Sequence, residues 1–328
     1  MREDLLSGDL PGPDDASGRA VADRAATILR PPGALARLDE VAVWLARWQR
    51  SPRPVVARPA VVIFVAEHGV AAEGVSAYPS DVTESVLRAL EDGVATAPAM
   101  ARSLGASFNV IDVGVGRPTA NLAVEPALSP ERFEAAWAAG VDAVRSIDAD
   151  LLVIGEMGIG NTTAAATVAA TLFGGRVEGW VGRGTGIDDA GVARKAAVVA
   201  RARDRVGAGA DSLEVLRHVG GAELVAIAGA IVEARLVSLP VLLDGYVVTA
   251  AAAAVEVARP GALDHCWPGH LSPEPGHAAL LQRLGRRPLL DLELRLGEGT
   301  GALAAVPLVR LAAAAVVDVA TFAERGLG

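Results

Sequence analysis

From about Pro59 onward, short β-branched apolar runs alternate with alanine-rich stretches of helical spacing, and this limits the folds open to the chain more than any other feature. VVIFVA (61–66), FNVIDVGV (108–115), LLVIGEMG (151–158), VEGWVG (177–182) and VSLPVLLDG (237–245) read as buried strands. Between them the periodicity predicts helices near 80–104, 131–147, 161–173, 188–206, 221–235 and 246–258. Strands that are apolar on both faces and separated by helices need cover on both sides. That pattern predicts an α/β fold with a doubly wound, mainly parallel sheet and flanking helices. Ligands of such folds bind beyond the carboxyl ends of the strands.

The chain ends differ from the middle. Residues 1–17 read as a flexible lead-in. Residues 18–58 carry helical apolar spacing through Val21, Ala25, Ile28 and Leu29, then Leu35, Leu38, Val41, Leu45 and Trp48, with a break at Pro31, Pro32 and Gly33. SPRPVVARP leads into a large α/β domain expected over 59–300. From 301 to 324 runs an Ala/Leu/Val helix, and 301–328 is expected to pack on the N-terminal helices as a small helical domain built from both termini.

At 328 residues the chain is long enough to hide roughly 75% of its unfolded surface. A formal charge of −9 repels phosphate backbones and anionic lipid, which argues against nucleic-acid and membrane-surface partners. Cys266 is the single cysteine, so no internal disulfide can form and a thiolate metal site is unexpected. MREDLLSGDLPGPDD has acids and prolines where a signal peptide has a basic start and an apolar run, so a cytoplasmic protein is expected.

Common nucleotide and hydrolase signatures are missing. The only lysine, Lys195, lies between Arg194 and Ala196, which excludes a GxxxxGK[ST] loop. The glycines of VGRGTG and GEMGIG have the wrong spacing for a dinucleotide fingerprint, and there is no GxSxG elbow. His265, Cys266, His270 and His277 crowd one stretch but lack an acidic partner at a recognised ligand spacing, so no metal is expected.

Four segments do combine glycines with hydroxyls, amides and carboxylates: 66–83, 155–163, 182–195 and 295–302. In GEMGIGNTT, Gly158 and Gly160 let backbone approach a ligand where a helix begins, and free N–H groups there favour an anion. Asn161 or Thr162 as a simple helix cap is the plainer alternative. Among 30 basic residues Lys195 is the only lysine. It is either an accident of arginine-rich coding or a compact ammonium placed for a phosphate. Glu298, between Gly297 and Gly299, is either a first-turn acid complementing a helix dipole or a carboxylate presented into a cavity, where it can act as a base.

GEMGIGNTT, GRGTGIDDAGVARK, LPVLLDGYVVTAAA, GHLSPEPGH and RLGEGTGA occur here in order, with RPPGALARLDE and AEHGVAAEGVSAYP before them. Together they closely resemble the nicotinate-nucleotide:dimethylbenzimidazole phosphoribosyltransferase family over about residues 18–326. The resemblance implies a homodimer that uses no cofactor. It also implies a reaction in which nicotinate mononucleotide and 5,6-dimethylbenzimidazole give α-ribazole 5′-phosphate and nicotinate. By motif position, Glu298 is implied as general base and Glu156 as the carboxylate facing the ribose. Lys195, Ser272, Gly158 and Gly160 fall where the family holds the phosphate, with Asn161 and Gly299 in the same nucleotide-binding group. Tyr78, Pro79, Val86 and Leu87 are expected to line the base pocket. The chain departs from the family's KPxGSLGxLE at Arg30, Ala34, Ala36 and Asp39, and from ADHG at Glu67. The alternative is a nucleotide- or base-binding protein of the same fold without turnover, which would have no need of two buried carboxylates at one ribose.

Overall fold

The computed structural model describes residues 8–327. The expected lead-in falls partly outside that range, and the first helix, α1 (Asp15–Ala25), already begins within it. Asp14 caps α1 by accepting from the N–H groups of Ala16 and Ser17. α2 (Arg37–Gln49) follows the proline–glycine break.

Five parallel strands form the sheet: β1 (Pro59–Ala66), β2 (Ser107–Gly114), β3 (Leu151–Met157), β4 (Val241–Leu243) and β5 (Cys266–Pro268). Their order is β2-β1-β3-β4-β5. In register, Phe64 pairs with Ile111 on one side and Glu156 on the other, and Ile154 pairs with Leu243. The order reverses between β1 and β3, so a crevice opens at their carboxyl ends. A short parallel pair, β6 (His270–Leu271) and β7 (Leu290–Asp291), lies apart from the sheet.

Alternation along β1 divides the interior into two cores. Ala60, Val62, Phe64 and Ala66 face one side, together with Leu152, Ile154, Val241 and Leu243. That side is covered by α5 (Pro130–Arg145), α6 (Asn161–Phe173), α7 (Asp189–Val206), α8 (Ser212–Val219), α9 (Ala222–Leu236) and α10 (Tyr246–Ala258). α9 and α10 are buried nearly all round, which suits their continuous apolar sequence. α5 and α9 approach closely enough that a Cβ on Gly140 would lie 1.9 Å from the Ala226 carbonyl oxygen. Val61, Ile63 and Val65 face the other side with Leu151, Val153 and Leu242. There α1 and α2 join α3 (Val82–Glu91), α4 (Thr96–Leu104) and α12 (Thr300–Val317). α12 is long and apolar enough to cross a membrane, but here Leu303, Val306, Val309 and Val316 are buried in this core.

Two expected elements differ. VEGWVG is not a strand: Val177–Gly179 is a single 3-10 turn. Trp180 is buried by loop packing instead, its indole N–H donating to Gly174 O and its carbonyl accepting from the Tyr246 hydroxyl. The helix expected over 80–104 is two helices, because Gly93 takes φ +71° and turns the chain between α3 and α4. α8, β5 and α11 (Pro275–Arg283) are elements beyond those expected.

Candidate active site

Some helices carry their own side-chain caps and others begin without one. α5, α7 and α8 carry their own side-chain caps, Ser129, Asp188 and Asp211. α6 and α12 have none, beginning at Gly160 (φ +98°) and Gly299 (φ +72°). The start of α6 and the turn leading into α12, at Gly297, line a cavity of about 110 Å³ beyond β3 and β4. Its lining includes Glu156, Gly158, Asn161, Thr162, Asp244, His270, Ser272, Glu274 and Arg295.

Glu156, at the end of β3, is buried, and one of its carboxylate oxygens accepts from the Asn161 side-chain amide. Burial, then the negative charges of Asp244 and Glu223, hold its pKa well above the ordinary carboxylate range. Glu298 is buried with φ +57°, and its N–H donates to the Glu156 carbonyl at 3.0 Å. Its Oε2 has no hydrogen-bond partner. Burial raises its pKa and Asp244 adds to that, while the Ala97 N–H in the first turn of α4 pulls it back.

Gly158 must be glycine. A Cβ there would stand 2.5 Å from Ala66 O and 3.2 Å from the His68 ring. Under this loop His68 Nε2 meets Glu223 Oε1 at 2.5 Å, both side chains fully buried. The loop is also tied to α3, where the Thr83 hydroxyl accepts from the Ile159 N–H at 3.2 Å.

Lys195 is 1% exposed and sits beneath the cavity wall on α7. Its Nζ donates to Thr162 Oγ1 at 2.7 Å and to Gly182 O at 3.4 Å. Burial lowers its pKa to about 8, with Glu274 acting against the shift. Ser272 lies on the wall, its N–H donating to His277 Nδ1 at 3.0 Å. A backbone N–H can only donate, so Nδ1 is the acceptor and the ring proton is on Nε2, facing Thr249 Oγ1 at 3.0 Å. Burial keeps this imidazole neutral, its pKa lowered to about 3.

The structure thus gathers Glu156, Glu298, Gly158, Gly160, Asn161, Lys195, Ser272 and Gly299 at one end of the sheet. The four residues expected to line a base pocket are not gathered there. Tyr78 and Pro79 are exposed, Leu87 points into the second core, and Val86 packs half-buried against it. The period of α3 turns Leu87 inward, while the loop before it stays at the rim, where Ala77 N–H donates to Thr185 Oγ1 at 3.3 Å. The apolar part of this cavity's wall is formed by Met157, Ile159, Val247, Leu294 and Leu296.

Sequence reasoning also missed Asp244, His270 and His277 as parts of one site. Asp244 is legible only as the acid ending LPVLLD, and its partners lie more than 50 residues away. The four clustered His and Cys residues meet as two pairs, Cys266 with His265 and His270 with His277, and not as one ligand set. His265 bonds Ile231 O, and among the described residues no group of three or more His, Cys, Asp or Glu side chains forms a metal cage.

A family model described as Phosphoribosyltransferase matches residues 10–327, which defines the class of this α/β site. A nicotinate-nucleotide–dimethylbenzimidazole phosphoribosyltransferase of Cereibacter sphaeroides is 47% identical, over 97% of this chain and 94% of its own. The enzyme of the same name from Ruegeria pomeroyi is 47% identical, over 99% and 96%. The crystal structure of CobT from Thermus thermophilus superposes with a TM-score of 0.91 at 46% identity, covering 95% of this chain and 99% of that one. The chain belongs to the nicotinate-nucleotide–dimethylbenzimidazole phosphoribosyltransferase family.

Proposed function

We propose that this protein moves the phosphoribosyl group of nicotinate mononucleotide to 5,6-dimethylbenzimidazole, giving α-ribazole 5′-phosphate and nicotinate in cobalamin lower-ligand synthesis. The observation that carries the reading is the meeting of Glu156 and Glu298, two buried acids of raised pKa joined through their backbones at the mouth of the sheet.

Nicotinate leaves C1′ as the glycosidic electron pair returns to a pyridinium nitrogen, so the leaving group needs no acid. Positive charge develops on the ribose, and we read Glu156, whose ionisation a cationic pyridinium nucleotide beside it favours, as the carboxylate that stabilises it. One benzimidazole nitrogen attacks the opposite face, inverting C1′, while the other nitrogen gives its proton to Glu298. General base catalysis of this kind contributes about 10²–10⁴-fold. The free Oε2 of Glu298 suits that task. The phosphate is read onto the Gly158–Gly160 loop and the start of α6, above the Lys195 ammonium and beside Ser272, with Asn161 and Gly299 adjoining.

The enclosed volume, about 110 Å³, is below the roughly 300–1,000 Å³ usual for small-molecule sites, so the substrates extend past the rim at Arg295 and Leu296. We read the base as seated against Leu294, Leu296 and Met157, with the Tyr78–Pro79 loop at the rim. The reading keeps the cytoplasmic homodimer expected from sequence, and treats α1, α2 and α12, which share one core, as the small helical domain.

Incubating the protein with nicotinate mononucleotide and 5,6-dimethylbenzimidazole, and seeking α-ribazole 5′-phosphate by chromatography and mass, tests the reaction. Product is expected. Nicotinate release only with another acceptor changes the base, and nucleotide binding without turnover of any acceptor replaces the enzyme by a binding protein.

A further inference from the structure

The Glu298 carboxylate receives one contact, from the Ala97 N–H, and its Oε2 has no hydrogen-bond partner, so its aim is set mainly by the backbone that carries it. Three successive residues, Gly297, Glu298 and Gly299, have φ of +84°, +57° and +72°, a run that an L-residue holds only with outside support. α12, which begins here, has no cap of its own. Across the cavity floor stands Asp244, 1% exposed, one residue past β4. Its Oδ2 accepts from the Gly299 N–H at 3.2 Å and its Oδ1 from the Ala302 N–H at 2.9 Å.

We propose that Asp244 is the positioning residue of the Glu298 base, its two oxygens clamping the turn from which Glu298 projects and its charge facing that carboxylate in a buried site. The inference rests on the reading of Glu298 as the base. Other groups face the same turn. From β3 come the Glu156 carbonyl, bonded to Glu298 N, and the Glu156 carboxylate, packed on Gly297. From β6 comes His270, its Nε2 3.5 Å from Asp244 Oδ1 and its ring lying against Gly301. From α4 comes the Ala97 N–H. Among these, Asp244 alone grips two amides of the turn with a charged side chain.

A clamp that also sets proton affinity has a signature that plain scaffolding lacks. Removing a neighbouring negative charge makes Glu298 easier to ionise, so the acidic limb of the rate profile moves to lower pH. The experiment compares the pH profiles of kcat and kcat/KM for wild type, Asp244→Asn and Asp244→Glu, alongside hydrogen–deuterium exchange of amides 299–302. In Asp244→Asn, kcat should fall about 10–100-fold, the scale of a misplaced catalytic group, with the KM for nicotinate mononucleotide changed less than about threefold. Its acidic limb should shift down and exchange at Gly299 and Ala302 should quicken. Asp244→Glu, which keeps the charge but displaces it, should lower kcat and leave the limb in place. Thr300→Val, which loosens the same turn by removing the hydroxyl bonded to Gly297 O, should lower kcat without moving the limb.

Unchanged kcat, a loss confined to KM, or a fall in kcat with neither limb nor exchange altered would overturn the proposal. Should Asp244→Asn not fold, unchanged kcat in Asp244→Glu overturns it equally. Failure of the underlying reading looks different: wild type itself would form no product, while exchange would still report the clamp.

Discussion

The backbone N–H of Glu298 donates to the backbone carbonyl of Glu156 at 3.0 Å, so the last residues of β3 and the turn that opens α12 are one hydrogen-bonded unit. Two acids far apart in the sequence are thereby fixed with respect to each other rather than each finding its own place. The chemistry proposed above depends on that spacing being held by main chain, which substitution of either side chain leaves intact.

Glu298→Gln should fold and bind nicotinate mononucleotide normally yet lose about 10²–10⁴-fold in kcat, since the amide cannot accept the proton. Titration calorimetry and steady-state rates separate the two effects. In wild type, burial raises the Glu298 pKa, so activity should begin to fall, as pH is lowered, above the range of an ordinary glutamate. Near-wild-type turnover of the Gln variant would remove Glu298 as the base.

Glu156 carries a stability cost as well as a role. Its folded-state pKa lies well above its unfolded one, because of burial and then of Asp244 and Glu223. The folded protein therefore holds that proton more tightly, and the resulting stabilisation is present below the unfolded pKa and lost as pH rises through the folded one. Glu156→Gln cannot ionise, so its advantage over wild type should grow as pH rises above the ordinary glutamate range. Melting scans should show a Tm on the order of 2 °C higher at the upper pH, with turnover reduced.

Lys195 titrates at about 8, so its charge is mostly present at neutral pH and disappears as the solution becomes more alkaline. The KM for nicotinate mononucleotide should climb across that range. Lys195→Ala should raise KM about 10–100-fold, as expected for a lost charge-assisted contact, and flatten the climb. A KM that the substitution leaves untouched would place the phosphate elsewhere.

Gly158→Ala forces a methyl toward Ala66 O and the His68 ring. We expect about 1–3 kcal/mol of destabilisation by denaturant titration, the usual cost of overpacking. A fall of about 10²-fold in kcat/KM should accompany it, as the loop is pushed out of place. The same change at Gly179, where a Cβ meets nothing within 4 Å, serves as the control.

Much of the candidate site is legible because glycine-marked backbone turns and acids coincide in short stretches. Glu156 and Glu298 stand out beside glycines, and the Gly158–Asn161 turn announces a helix start without a hydroxyl or acid ahead of it. What could not be read depends on distance. Asp244 is one acid at the end of one strand until β4 and α12 are laid side by side. The tautomer of His277 follows from a single amide, that of Ser272. Trp180 and Val181 look like strand residues because their burial comes from loops closing around Tyr246. β5 has only three residues, too few for alternation to show. The base pocket was placed by motif position alone, and local sequence could not reveal that α3 turns Leu87 into the core.

The position of α12 also bears on how the protein comes into being. Every strand of the sheet is made before it, yet the second core stays open until Leu303, Val306 and Val309 arrive to cover Val61, Ile63 and Val153. The turn bearing Glu298 belongs to the same late segment. A nascent chain halted before this turn would therefore present a half-covered sheet without Glu298 at its mouth, exposing apolar surface that favours association. The cover of the second core and the turn bearing Glu298 are thus delivered by one and the same segment.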